Sequence, residues 1–61
     1  MRPIWRVTYR KKPRRQGADP SIHELLVRQD LYTEAEARSL PRSVWAEEFQ
    51  EIISVEKDVA R

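Results

Sequence analysis

The sequence predicts a small α+β domain with the order β-β-α-β, in which one helix covers one face of a three-stranded antiparallel sheet of order 2-1-3. Three features lead to this fold class: a strictly alternating segment near the N-terminus, a well-capped helical segment in the middle, and a β-branched segment near the C-terminus. The 61 residues form a single domain, 1–61, with room for only a thin core.

The first strand is predicted at residues 4–10, IWRVTYR, where apolar and polar residues alternate. The residues of one face are Trp5, Val7 and Tyr9, and those of the other are Arg6, Thr8 and Arg10. We expect the first set to lie in the core beneath the helix. Pro13 ends the strand because it has no N–H group for a ladder.

The segment 21–32, SIHELLVRQDLY, fits two structures. A helix would use Ser21 and Glu24 as a capping box. A strand would place Leu25, Val27 and Leu31 on one face and Ile22 and Leu26 on the other. We favour a strand because the first strand needs a neighbour to pair with.

Residues 32–42 show the clearest helical signals. Thr33 is a good N-cap, and Glu34 and Glu36 lie in the first turn, where the helix dipole favours acidic groups. Pro41 lacks the N–H that a helix interior requires, so it is expected to end or kink the helix near Leu40.

The C-terminal segment is also ambiguous. Trp45, Phe49 and Ile52 are spaced as in a helix, whereas EIISVE is short and rich in β-branched residues, which favours a strand over about 50–57. An all-helical fold would leave the first strand unpaired. A right-handed crossover through the helix would place the third strand beside the first. The predicted core is Trp5, Val7, Tyr9, Leu25, Val27, Leu40, Phe49, Ile53 and Val55.

Charge is distributed unevenly along the chain. Residues 1–15 hold seven Lys and Arg and no acid, hence +7, while residues 16–61 hold five against ten acids, hence −5, and the two sum to the net +2. The basic part continues into a polar loop at about 11–20, KKPRRQGADP, which we expect to be flexible. This asymmetry favours electrostatic steering toward a partner.

The residue inventory gives little support to catalysis or metal binding. The chain has no cysteine and one histidine, His23, for which a surface or half-buried position is expected. Glu47, Glu48 and Glu51 suit a solvated acidic edge, and the lone Gly17 cannot form a phosphate-binding loop. We therefore expect no enzyme, metal or cofactor. The absence of a long apolar run or signal peptide predicts a cytoplasmic protein without a membrane segment.

A binding role is the better interpretation. The predicted patch pairs its positive charges with carboxylates on a protein partner and consists of Arg6, Arg10, Lys11, Lys12, Arg14 and Arg15. One alternative is nucleic-acid binding through phosphates, although Trp5 and Tyr9 are expected in the core rather than stacked on bases. A second is a small helical adaptor, if 21–29 and 44–57 are helices. We expect a monomer.

The segments IWRVT, ELLVRQDLYTEAEA and EIISVEKDVA follow one another as strand, strand into capped helix, and closing strand. This order, over about two thirds of the chain, resembles the small inhibitors of host RNA polymerase made by podophages. The resemblance implies a phage regulator for host takeover that docks on the jaw region of the largest polymerase subunit and inhibits transcription.

The chain departs from that family at two places. The family's third strand carries arginines that contact the acidic jaw, whereas this chain has Ser54 and Glu56 in the matching stretch. The loop at 11–20 is also longer than the family's usual connection. If the resemblance holds, the contacts must come from Arg6, Arg10 and the basic segment 11–15.

Overall fold

The structure, a computed structural model, describes residues 1–60 and confirms the predicted fold class. An open three-stranded sheet has the order β2-β1-β3, and both outer strands run antiparallel to the central one. The elements are β1 (Arg2–Lys11), β2 (Ser21–Arg28), α1 (Glu34–Val44) and β3 (Phe49–Ala60). The connection between β1 and β2, residues 12–20, is called the basic loop below. The sheet surface turned away from α1 is called the open face.

β1 is the centre of the sheet and extends two residues before and one after the predicted 4–10. Val7, which is fully buried, lies opposite Leu25 of β2 and Val55 of β3. Residues 21–28 and 49–60 are strands, so the strand prediction is confirmed for both ambiguous segments and the helical alternative is wrong. Two flanking strands supply the ladder partners that β1 requires, and this requirement outweighs local helical spacing.

α1 begins at a complete capping box. The Thr33 hydroxyl accepts a hydrogen bond from the Glu36 backbone N–H at 3.2 Å, and the Glu36 carboxylate accepts one from the Thr33 N–H at 3.0 Å. Such caps satisfy N–H groups that have no partner inside the helix. The helix then places Ala37, which is fully buried, against β1.

Pro41 does not end the helix near Leu40, because α1 continues through it to Val44. A proline inside a helix loses one hydrogen bond and costs about 3 kcal/mol. Here the Pro41 ring is fully buried, and burial of its apolar surface offsets that cost. Its carbonyl still accepts the Trp45 N–H at 2.9 Å, which closes the helix.

β3 contains two register shifts against β1, one between Thr8 and Tyr9 and one between Arg10 and Lys11. The first shift places Ile52 opposite Tyr9, so Ile53 is the extra residue of a bulge. The prediction that Ile53 belongs to the core is therefore wrong: it is 44% exposed, and Ile52 packs against the core instead. A strand without a bulge would have placed Ile53 on the same face as Val55, in the core, and Ile52 on the other face.

The core is a single layer between the sheet and α1. Its buried members are Trp5, Val7, Tyr9, Ala37, Pro41 and Phe49. Ile4 is also buried, but strand alternation places it on the same face as Arg6. Leu25, Val27 and Val55 pack against this layer as predicted but are half-buried, as is Leu40. The molecule is thin and long, with principal extents of 41 × 20 × 14 Å.

Candidate docking surface

The basic loop is attached at its start and turns sharply near its middle. The Lys12 N–H donates to the Glu48 carbonyl at 2.7 Å, which ties the loop to the segment that precedes β3. The Ala18 N–H donates to the Arg15 carbonyl at 3.1 Å, and Gly17 has φ 87°. A tight turn with positive φ at its third residue favours glycine there, because other residues are strained in that conformation.

The two arginines predicted on the open face lie there, but both are paired within the chain. Arg6 contacts Asp58 at 2.5 Å and Glu24 at 3.5 Å, which are acids of the two neighbouring strands. Arg10 pairs with Glu51, the residue directly opposite it on β3. Their positive charges are therefore balanced by carboxylates of the same surface.

Lys11 lies on the other side of the sheet from these arginines. Its ammonium is 3.3 Å from the Glu48 carboxylate and lies over the Trp45 ring, 4.7 Å from the centroid. The contacts with a ring and a carboxylate hold this lysine against the end of α1. Lys11 is consequently separated from Arg6 and Arg10, although it is adjacent to Arg10 in sequence.

The remaining predicted cations are Lys12, Arg14 and Arg15 in the basic loop. All three are exposed, and within residues 1–60 none of them forms an ion pair. The six predicted binding residues thus fall into three groups: two on the open face, one against the end of α1, and three in the loop. Only the loop group presents unbalanced positive charge to solvent.

The uneven charge of the sequence is reduced by the fold. Residues 1–15 carry +7 in sequence, but pairing with β3 and its preceding turn brings Glu48, Glu51 and Asp58 next to Lys11, Arg10 and Arg6. The positive field that could steer a partner is therefore concentrated at the loop rather than spread over the strand.

The open face also exposes apolar side chains. Ile22 is 60% exposed, Leu26 54% and Ile53 44%, and Ile22 lies opposite Arg10, close to the point where the basic loop enters β2. The alternation of β2 had already placed Ile22 and Leu26 on the face opposite Leu25 and Val27. That pattern was the signal for this apolar surface, which the predicted binding patch did not include.

The aromatic residues of β1 are not available for stacking on an external ligand. Trp5 and Tyr9 are buried, as predicted, and the Trp5 indole N–H donates to the Tyr32 carbonyl at 2.8 Å. Tyr9 stacks on Trp45 at 5.2 Å between ring centroids and on His23 at 5.8 Å. His23 is exposed, and its Nε2 lies 2.8 Å from the Ser21 hydroxyl.

A recess of about 370 Å³ lies beside Trp5 and Lys57, where the chain passes from β2 into α1. The Thr33 hydroxyl at this recess is occupied by the helix cap. Asp30 also lines it, and its hydrogen bonds from Arg28 hold the pKa of that carboxyl below the usual 3.8. This arrangement favours an ionised, paired carboxylate over a general acid.

Among residues 1–60, no cluster of three or more His, Cys, Asp or Glu side chains could hold a metal ion. In the same range, no helix has the length and apolar character that crossing a membrane requires. Comparison with protein-family models, with curated proteins and with solved structures finds no match for the chain.

Proposed function

We propose that the chain is a small non-enzymatic binding protein that docks on an acidic surface of a larger protein. The observation that carries the proposal is the group Lys12, Arg14 and Arg15, which is exposed and unpaired within residues 1–60, while the other three predicted patch cations are paired with carboxylates of the chain. Complementary charge guides encounter and fixes orientation.

A protein surface suits this site better than nucleic acid does. The loop adjoins Ile22, an exposed apolar side chain, and apolar anchors beside charged groups are typical of protein interfaces. Trp5 and Tyr9 are buried and cannot stack on bases. The acids that pair with Arg6 and Arg10 would also repel a phosphate backbone from the open face.

The most concrete form of the proposal is a phage regulator that docks on host RNA polymerase in the host cytoplasm and inhibits transcription. The strand-strand-helix-strand order of the resembling family supports this form. In this chain the basic loop would supply the contacts, because the third strand presents Ser54 and Glu56 where that family has arginines.

The test is direct binding to purified bacterial RNA polymerase in the presence of nuclease. The loop variant replaces Lys12, Arg14 and Arg15 with Ser. The matched control replaces Arg2, Arg38 and Lys57 with Ser, which removes the same charge at positions outside the loop. We expect the loop variant to bind roughly tenfold or more weakly and the control to bind within about twofold of the wild type.

The same binding experiment without nuclease separates the alternatives. Binding that is lost on nuclease treatment would identify the loop as a phosphate-binding element. Equal losses in the loop variant and the control would show a non-specific charge effect. Either result would overturn the proposed protein docking at the loop.

A further inference from the structure

The outer edge of β2 has the features of a strand that pairs with another strand. We propose that β2 pairs antiparallel with β2 of a second copy of the chain, about a two-fold axis at Leu25, to form a six-stranded sheet. This inference goes beyond the proposed function and contrasts with the monomer expected from the sequence. It rests on the direction of the backbone groups, on the difference between the two sheet edges and on the incomplete cover of β2.

The backbone groups that face outward on β2 follow from its ladder with β1. The Gln29 N–H donates to the Pro3 carbonyl at 3.1 Å, in register with the pairing of Ile4 and Arg28. The N–H and C=O of one antiparallel strand residue point to the same side, and the side alternates along the strand. The residues of β2 that direct these groups away from β1 are therefore Ile22, Glu24, Leu26 and Arg28.

The two edges of the sheet differ in how they are protected. The register of β3 shifts twice, and its outward-facing Lys57 adds a charge; bulges and lysines are features that discourage edge pairing. β2 pairs with β1 without a register shift from Ser21 to Arg28 and contains neither proline nor lysine. β2 is thus the edge that remains suited to accept a strand.

The apolar cover over β2 is incomplete. α1 packs mainly against β1 and β3, which leaves Leu25 and Val27 half-buried on the helix side of the sheet. Pairing about an axis at Leu25 places the two Leu25 side chains opposite each other, and each Val27 opposite His23 of the other copy. The Leu25 pair is apolar, and cross-strand apolar pairs stabilise sheets.

The exposed area is consistent with a missing neighbour. The surface of 4858 Å² exceeds the value of about 4,200 Å² expected for a compact monomer of 7.3 kDa. The radius of gyration, 12.4 Å, likewise exceeds the roughly 10.5 Å expected for a chain of this length. The excess of about 700 Å² is close to the roughly 800 Å² that each partner buries in a standard interface.

Hydrogen bonding and charge favour a two-fold axis at Leu25 over one at Glu24. An axis at Leu25 lets Ile22 and Arg28, and likewise Glu24 and Leu26, exchange paired backbone hydrogen bonds in both directions. An axis at Glu24 would instead place two Glu24 carboxylates opposite each other and set Pro20, which has no N–H, against Arg28. The Leu25 axis also brings Asp30 of the second copy next to the end of the basic loop.

The first test uses the absence of cysteine from the chain, because a single introduced cysteine is then the only thiol. The two residue-25 Cα atoms would be about 4.5 Å apart at the axis, within disulfide range. Leu25→Cys should therefore form a covalent dimer under mild oxidation. His23→Cys is the matched control and should stay monomeric on a denaturing gel, since its two copies would be roughly 13 Å apart.

The second test is the mass of the intact protein by sedimentation equilibrium. We expect the wild type near twice 7.3 kDa. Leu26→Pro removes an outward N–H and should yield a monomer, whereas Lys57→Pro makes the same change on the edge of β3 and should stay dimeric. A monomeric wild type, or cross-linking of His23→Cys or Glu24→Cys in preference to Leu25→Cys, would overturn the proposal. If Leu26→Pro fails to fold, the cysteine variants decide the question.

Discussion

The helix-covered face and the open face are built from alternate residues of the same strands, yet different interactions stabilise them. Beneath α1, Trp5, Val7 and Tyr9 are buried among apolar side chains. On the open face, Arg6 and Arg10 are held by carboxylates of the neighbouring strands. The difference indicates that apolar burial stabilises the fold, while the open face contributes little stability and remains free to change for binding.

The largest expected effect tests this contrast at two adjacent residues. Trp5→Ala removes a buried ring and its hydrogen bond to the Tyr32 carbonyl. We expect a loss of about 3–5 kcal/mol, which is comparable to the whole stability of a domain of this size. Far-UV circular dichroism should show an unfolded chain at 25 °C.

Arg6→Ala, one position along the strand, is the counterpart on the open face. Its ion pairs are partly exposed, and such pairs contribute about 0–1 kcal/mol. Urea unfolding should therefore show a folded protein with a slightly lower midpoint. An Arg6→Ala loss as large as that of Trp5→Ala would show that the open face is essential to the fold.

The second effect concerns how the helix is held over the covered face. Thr33→Ala removes the hydroxyl that caps the Glu36 N–H. We expect the free energy of unfolding to fall by about 1 kcal/mol. The measurement is urea denaturation beside Ser43→Ala, an exposed helical serine outside the cap. Equal losses in the two variants would contradict a specific role of the cap.

A smaller effect measures one ion pair of the open face directly. A double-mutant cycle with Arg10→Gln and Glu51→Gln should give a coupling energy of about 0.2–1 kcal/mol. Because both groups are partly exposed, the coupling should shrink as salt is raised from low to molar concentration. A coupling that does not depend on salt would indicate that this pair is shielded from solvent.

The smallest effect is local and concerns Asp30. Its pKa is lowered by hydrogen bonds from Arg28, so Arg28→Gln should return the pKa toward 3.8, as followed by NMR titration. A depressed folded pKa stabilises the protein above the unfolded pKa, and this contribution is lost as pH falls through the folded value. The variant should therefore lose less stability on acidification. Arg38→Gln, which removes a cation that pairs with Glu34 and does not contribute to the lowered pKa of Asp30, should leave the titration unchanged.

The parts of the fold that follow regular patterns could be predicted from the sequence. Alternation in IWRVTYR identified β1 and the burial of Trp5, Val7 and Tyr9. Thr33 and Glu36 identified the start of α1. These signals are local, because each depends only on neighbours within one strand or one helical turn.

The predictions that the structure corrects depend on strand register and on tertiary packing. A bulge adds one residue to a strand and reverses the side-chain pattern beyond it, so nothing in EIISVE alone indicates that Ile52 replaces Ile53 in the core. The spacing of Phe49 and Ile52 resembles that of a helix because a bulge between them adds one residue to β3, and Trp45 lies in the turn before the strand. The burial of Pro41 and the ion-pair partners of Arg6 and Arg10 could not be predicted either, because they depend on contacts between elements that are distant in the sequence.

The placement of the two tryptophans gives the molecule two separate optical reporters. Trp45 lies at the end of the sheet that carries the basic loop, in contact with Lys11 and stacked on Tyr9. Trp5 lies in β1, four residues before Tyr9 and away from the loop, and its indole N–H donates a hydrogen bond to the Tyr32 carbonyl. Emission from a Trp5→Phe protein would thus report events at the loop, while emission from a Trp45→Phe protein would report the integrity of the core.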